Sequence, residues 1–400
     1  MASPASQRWV GNRVLMTLLV AAAASVGLLP FAGLSPNRLA SGQSVMLWQA
    51  LASWQLAALA LIGMALLIAA LAKPVGPRAS PWLALAATLP LLALDFYGLG
   101  DYAHRALVDA SPAARVSQGA TFWILLLVSA LIAIDALQRL RLGLAQRALY
   151  GALALAVIGV CFSGELLAPL SIMREFANQE ENFVDQLIRH LLLVGGALLP
   201  ALLVGLPLGL LANRRARLRN GLFSVLNVFQ TLPSIAVFGL LIAPLSALGR
   251  AVPWLGDLGV SGIGVAPAII ALVLYSLLPI VRNTYSGLAG VSSGALEAAR
   301  GMGMTPRQIL WQVEIPLALP VILSGLRIVT VQAIGLVVVA ALIGAGGFGA
   351  FIFQGLGQYA IDLVLLGAIP TIVLAVIADF VLQILVGLSR PPGTRQENTA

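Results

Sequence analysis

The chain has 400 residues, 60% of them hydrophobic and only 10% charged, and its mean hydropathy is +0.98. Soluble domains carry about 25% charged residues, so a soluble fold is excluded and the composition is that of an all-α polytopic membrane protein. The net charge of +8 comes from cations interspersed between apolar runs, which fits topology-setting charge and not nucleic-acid binding.

Arg8 and Arg13 precede an apolar run from Val14 to Leu34 with no clear cleavage signal, so this segment reads as a retained first span. About ten spans follow one another, at 14–34, 48–72, 81–99, 119–138, 148–169, 188–211, 222–247, 264–285, 317–343 and 362–388. With the N-terminus placed in the cytoplasm, sixteen cations fall on the cytoplasmic side, six fall opposite, and Arg327 stays within a span. Both termini are then cytoplasmic. Trp48, Trp82 and Trp123 sit near span ends, as an aromatic belt does.

The chain divides near residue 180. Residues 1–180 form an accessory region of about five spans, residues 181–390 a second region of five, and residues 391–400 a cytoplasmic tail. Between the two regions Glu165, Glu175, Glu180, Glu181 and Asp185 make an acidic segment, read as a solvated connector ahead of a partner-contacting surface helix. Cys161 is the lone cysteine, and His104 and His190 are far apart, so neither a disulfide framework nor a metal site is expected.

In the second region, Pro233, Pro279 and Pro320 are expected to break spans, which is tolerated where backbone is packed on protein or lines a cavity. Residues 292–316 form a polar stretch between spans. A first short helix is expected from Ser293 through Glu297, Ala298 and Ala299, broken by Gly301 and Gly303. Thr305 then suits an N-cap, Pro306 the first helical position and Gln308 the capping-box position, with Pro316 ending the second helix.

No catalytic constellation is present. The single lysine, Lys73, precedes Pro74, so no Gly-Lys-Ser/Thr phosphate loop exists and ATP hydrolysis would need another chain. Gly344 to Gly349 lacks that lysine and reads as a tight turn between spans. Intramembrane acids are few: Asp95, Asp135 and Asp379. Three placements stay open for Arg327: lining a pathway, pairing with a carboxylate such as Asp379, or snorkelling to the cytoplasmic face.

The loop resembles the EAA loop of binding-protein-dependent ABC importer permeases, with Glu297, Ala298, Ala299, Gly303, Val313, Ile315 and Pro316 at the family's spacing. Gln230 to Ser234 (with Pro233), Tyr275 to Tyr285 (with Pro279) and Ala341 to Gly347 resemble the osmoprotectant branch more narrowly. Valine and isoleucine replace the more usual isoleucine and leucine at the loop's end, and the first 170 residues carry no matching motif. The resemblance implies a type I importer permease core in residues 181–390 and a bacterial inner-membrane location. It implies docking of the 292–316 loop onto a separate cytoplasmic ATPase that binds ATP and Mg, with Glu297 pairing to a cation or accepting backbone hydrogen bonds. A periplasmic solute-binding protein, a second permease copy or paralogue, and membrane lipid complete the implied partners. This chain itself binds no cofactor. The implied cargo is a small osmoprotectant such as glycine betaine or choline; Tyr275, Pro279, Gln230, Pro233, Arg327 and Asp379 are candidates for the pathway or its framework. Two alternatives stand beside this reading. One is a permease for another small solute such as an amino acid. The other is an ion-coupled secondary transporter, which would not explain the capped loop.

Overall fold

The computed structural model describes residues 11–38, 40, 42–71, 76–257 and 259–389. Arg8, Lys73, Pro74, the side chain of Arg78, Arg390, Arg395 and the 391–400 tail lie outside the described residues. Nine helices among the described residues are long and apolar enough to cross a membrane, and a tenth apolar helix is shorter. The chain forms two compact units, Met1–Asn178 and Gln179–Ala400.

The first unit opens with α1 (Arg13–Leu28), capped by the Asn12 side chain, which accepts from the Leu15 N–H. At 16 residues it is shorter than the expected span at 14–34. Pro30 is the reason: it has no N–H and disfavours helical geometry at Leu29, and the chain turns extended. β1 (Ala32–Ser35) then pairs antiparallel with β2 (Gln43–Val45) on one side and β3 (Arg115–Gln118) on the other. Gly119 follows β3, and a Cβ there would meet the Pro30 carbonyl at 2.3 Å, so this approach requires glycine.

The unit is completed by α2 (Leu47–Ala50), α3 (Ser53–Leu71), α4 (Gly76–Leu107), α5 (Ala120–Arg139), α6 (Leu144–Ser163) and α7 (Ser171–Asn178). Its core gathers Phe31, Leu99, Val116 and Phe122 near the sheet, and Leu66, Leu85 and Ile132 among the spans. Four of the five acids of the segment, Glu165, Glu180, Glu181 and Asp185, are exposed, as a solvated connector requires, and Glu175 is the exception. It lies in α7 and is only 2% exposed, paired with Arg115 at 2.6 Å and Arg38 at 3.1 Å. A carboxylate can be buried when it is paired in this way.

The second unit runs α8 (Glu180–Arg214), α9 (Ala216–Thr231), α10 (Ser234–Ala251), α11 (Pro253–Asp257), α12 (Val265–Ala289), α13 (Ser293–Gly301), α14 (Pro306–Ile309), α15 (Ile315–Ala340), α16 (Gly349–Gly357) and α17 (Ile361–Leu388). The close pair is α8 with α12. A Cβ on Gly205 would meet Ile280 at 2.7 Å, and one on Gly209 would meet Thr284 at 2.5 Å. Two glycines four apart thus let two spans approach, the small-residue device of membrane packing. Ala197, Phe238, Leu272, Ala333 and Val337 fill the core around them.

Pro233 breaks a span as expected, so that 222–247 is not one helix but two, α9 and α10, separated at Leu232–Pro233. The expected breaks at Pro279 and Pro320 are corrected, because both lie inside continuous helices. At Pro279 a neighbouring side chain satisfies the carbonyl that proline leaves without its helical partner.

Candidate functional site

The loop between α12 and α15 is built by its caps. The Ser292 hydroxyl accepts from the Ala295 N–H at the start of α13. Gly301 is the last residue of α13, and Gly303 takes φ +77° to reverse the chain. Thr305 caps α14 with a reciprocal box: its hydroxyl accepts from the Gln308 N–H, and Gln308 Oε1 accepts from the Thr305 N–H at 2.8 Å. Pro306 occupies the first turn.

Pro316 does not end the second helix. Residues Leu310–Glu314 form a π-turn, in which the Ile315 N–H reaches back five residues to the Leu310 carbonyl. The wider turn accommodates the proline, and the helix runs on into α15, so that 306–343 is one long apolar helix with a bulge. The bulge keeps the loop helix continuous with the span. Glu314, within the bulge, is 5% exposed and pairs with Arg214 at the end of α8.

The loop residues divide by exposure. Glu297, Ala298, Gly301, Gly303, Thr305, Pro306 and Pro316 are exposed, whereas Ala299 is buried within the loop. Ala299 is therefore internal packing, and Glu297 with Ala298 forms the outward face. Met302 and Trp311, 74% and 62% exposed, add large apolar side chains to the loop's surface. The sequence reading missed both, although a methionine and a tryptophan in a polar stretch outside the spans were the available signal.

Four of the remaining candidates come together at the α9–α10 break. Pro279 cannot donate to the Tyr275 carbonyl four residues before it. The Gln230 Nε2 donates to that carbonyl instead. The Tyr275 hydroxyl in turn donates to the Leu232 carbonyl at 2.6 Å, beside Pro233. The site is thus a framework that stabilises an interrupted helix. In the same unit His190, fully buried, accepts from the Phe348 N–H at Nδ1 and meets the Ile334 carbonyl through Nε2 at 3.2 Å. It ties α8 to α15 and to the turn before α16. That turn has Gly344, Gly346 and Gly347 at positive φ.

Arg327 and Asp379 form a two-pronged ion pair between α15 and α17, with Nη2 to Oδ2 at 2.7 Å and Nε to Oδ1 at 2.5 Å. Pairing, one of the three placements open in the sequence, is the one observed. No group of three His, Cys, Asp or Glu side chains suited to a metal occurs among the described residues.

Helices of membrane length, an interrupted core helix and a capped loop rooted in a span are features that a transporter's membrane subunit would have. Residues 201–388 match the family described as the binding-protein-dependent transport system inner membrane component, and residues 12–173 match the N-terminal domain of ABC transporter permease YehY. The carnitine transport permease protein OpuCB of Listeria monocytogenes is 40% identical over 53% of this chain and 90% of its own length. The osmoprotectant import permease protein OsmW of Salmonella typhimurium is 42% identical over 52% of this chain and 91% of its own. The choline transport system permease protein OpuBB of Bacillus subtilis is 38% identical over 50% and 85%. The chain belongs to the family of binding-protein-dependent ABC importer permeases. It is a multi-pass transport subunit and not an enzyme, and permeases of this class work with a separate ATPase and a substrate-binding protein.

Proposed function

We propose that this chain is the translocating subunit of an ATP-driven importer for a small osmoprotectant such as glycine betaine, choline or carnitine. The observation that carries the reading is the outward face of the loop: Glu297, Ala298 and Met302 at the short helix α13, and Trp311 on the following helix, which is continuous with a membrane span. The substrates that name its relatives, carnitine, osmoprotectants and choline, support the cargo class. A cytoplasmic ATPase binds ATP and Mg and grips the 292–316 loop. Its closure turns the α14–α15 rod, and the core opens to a periplasmic solute-binding protein. A second copy or a paralogous permease completes the pathway, set in inner-membrane lipid with both termini cytoplasmic. Residues 1–180 act as an accessory region and residues 181–390 as the permease core.

The test is co-purification from native membranes followed by reconstitution. Recovery of a P-loop ATPase, and ATP-dependent glycine betaine uptake once a binding protein is added, is the expected result. Uptake that survives ATP depletion but collapses with an ionophore overturns it in favour of an ion-coupled carrier.

A further inference from the structure

Arg327 lies twelve residues into α15 and Asp379 nine residues before the end of α17, or about 18 Å and 14 Å along their helices. Both charges thus lie at least two turns inside helices long and apolar enough to cross a hydrocarbon core about 30 Å thick. Yet their side chains remain 36% and 38% exposed. Lipid is a poor cover for such a pair, because even a single charge at the bilayer centre costs roughly 2.5–3.5 kcal/mol or more. Two further polar side chains continue the same line. Ser324 is one turn from Arg327 on α15, and Gln383, exposed, is one turn beyond Asp379 on α17. Together they extend the pair as a polar track toward the end of the core that carries the loop.

We propose that the Arg327–Asp379 pair faces a water-filled translocation pathway and forms a transient site for a zwitterionic solute, whose carboxylate meets Arg327 and whose cationic group meets Asp379. The solute class rests on the function proposed above. A paired guanidinium and carboxylate have no net charge, and neither has a zwitterion. Each half of the pair therefore exchanges one partner for another of the same sign. No net charge is left in the low-dielectric region at any point.

The test has two arms. In the full complex in nanodiscs, carrying Cys161→Ala to remove the native thiol, Gln383→Cys is treated with a membrane-impermeant cationic methanethiosulfonate. Ile377→Cys, on the opposite side of α17, sets the background. Modification of the first well above the second is expected in at least one nucleotide state. No modification above background in any state means that protein or lipid covers the track, and overturns the proposal. In the second arm, Arg327→Gln is expected to lower glycine betaine uptake at least tenfold and choline uptake less than threefold, with Asp379→Asn reversing the preference. Equal loss of both solutes indicates a purely structural pair and overturns the site. If the unaltered complex imports neither solute with ATP and binding protein present, the proposed cargo fails, while the labelling arm still decides whether the pair meets water.

Discussion

The Gln230 side-chain amide donates to the Tyr275 carbonyl, the acceptor that Pro279 leaves without its helical N–H. A glutamine on one helix thereby repairs a defect written into another. The α9–α10 break is held against α12 by the same three residues, because the Tyr275 hydroxyl returns a bond to the Leu232 carbonyl. Gln230→Leu should destabilise the fold by about 1–3 kcal/mol, the cost of leaving a buried acceptor unpaired. Pro279→Ala supplies the missing N–H, so the double variant should be less destabilised than Gln230→Leu alone. Thermal melts of the four proteins of this cycle measure it. Additive losses would show that the two positions do not share the carbonyl.

Exposure on the loop separates docking from folding. Glu297→Lys and Ala298→Trp alter only the outward face, so each should leave insertion and melting unchanged while reducing coupled uptake tenfold or more. Ala299→Trp should instead lower the melting temperature, because Ala299 is buried and overpacking costs about 1–3 kcal/mol. Normal uptake by the first two variants would remove the docking role.

Glu314 links the loop to α8 through Arg214. With Arg214 48% exposed and Glu314 5% exposed, the two ends of the pair are unequal. Arg214→Ala strands a buried carboxylate, whereas Glu314→Ala frees an arginine that already reaches solvent. The arginine variant should therefore be the less stable of the two, by about 1–2 kcal/mol. Both should raise ATP hydrolysis that is not matched by uptake, measured together in proteoliposomes. Equal stability would place the pair's weight elsewhere.

Much of this was legible in the sequence because local chemistry wrote it. Thr305, Pro306 and Gln308 act within one turn of helix, so their spacing foretold the cap. The long apolar runs likewise foretold most of the spans, since the bilayer sets their length. What escaped depends on groups distant in the chain. Pro279 alone signals a break, and only Gln230, 49 positions earlier, explains why the helix continues. Pro316 alone signals an end, and only the π-turn at 310–314 explains why it is passed. Glu175 reads as one acid among five, until Arg38 and Arg115 converge on it from the sheet region. The Gly205–Gly209 pair was readable as a packing signal and went unread.

The Glu175 cluster gives a non-additive prediction. Arg115 and Arg38 both reach this nearly enclosed carboxylate, so loss of one leaves the other. Arg115→Ala and Arg38→Ala should each cost about 1 kcal/mol, and the double variant about 3–5 kcal/mol, as an unpaired buried charge does. Chemical denaturation of the full chain reads the excess over the sum. A double variant no worse than the sum would mean that water, not arginine, satisfies Glu175.

Asp95 presents the opposite case. It lies within α4, is 4% exposed, and neither of its carboxylate oxygens has a hydrogen-bond partner among the described residues. Leu47, Leu51, Leu59 and Leu125 are among its neighbours around a small apolar cavity. An isolated polar group in such surroundings costs about 1–3 kcal/mol. Asp95→Leu removes the polar atoms and extends carbon into the cavity, so the melting temperature should rise. Asp95→Asn keeps a polar group that still lacks partners, and should fall between the two. Each substitution should leave uptake unchanged if the group is only a burden on folding. A leucine variant that melts normally but no longer transports would turn this reading around and make Asp95 a working residue of the accessory region.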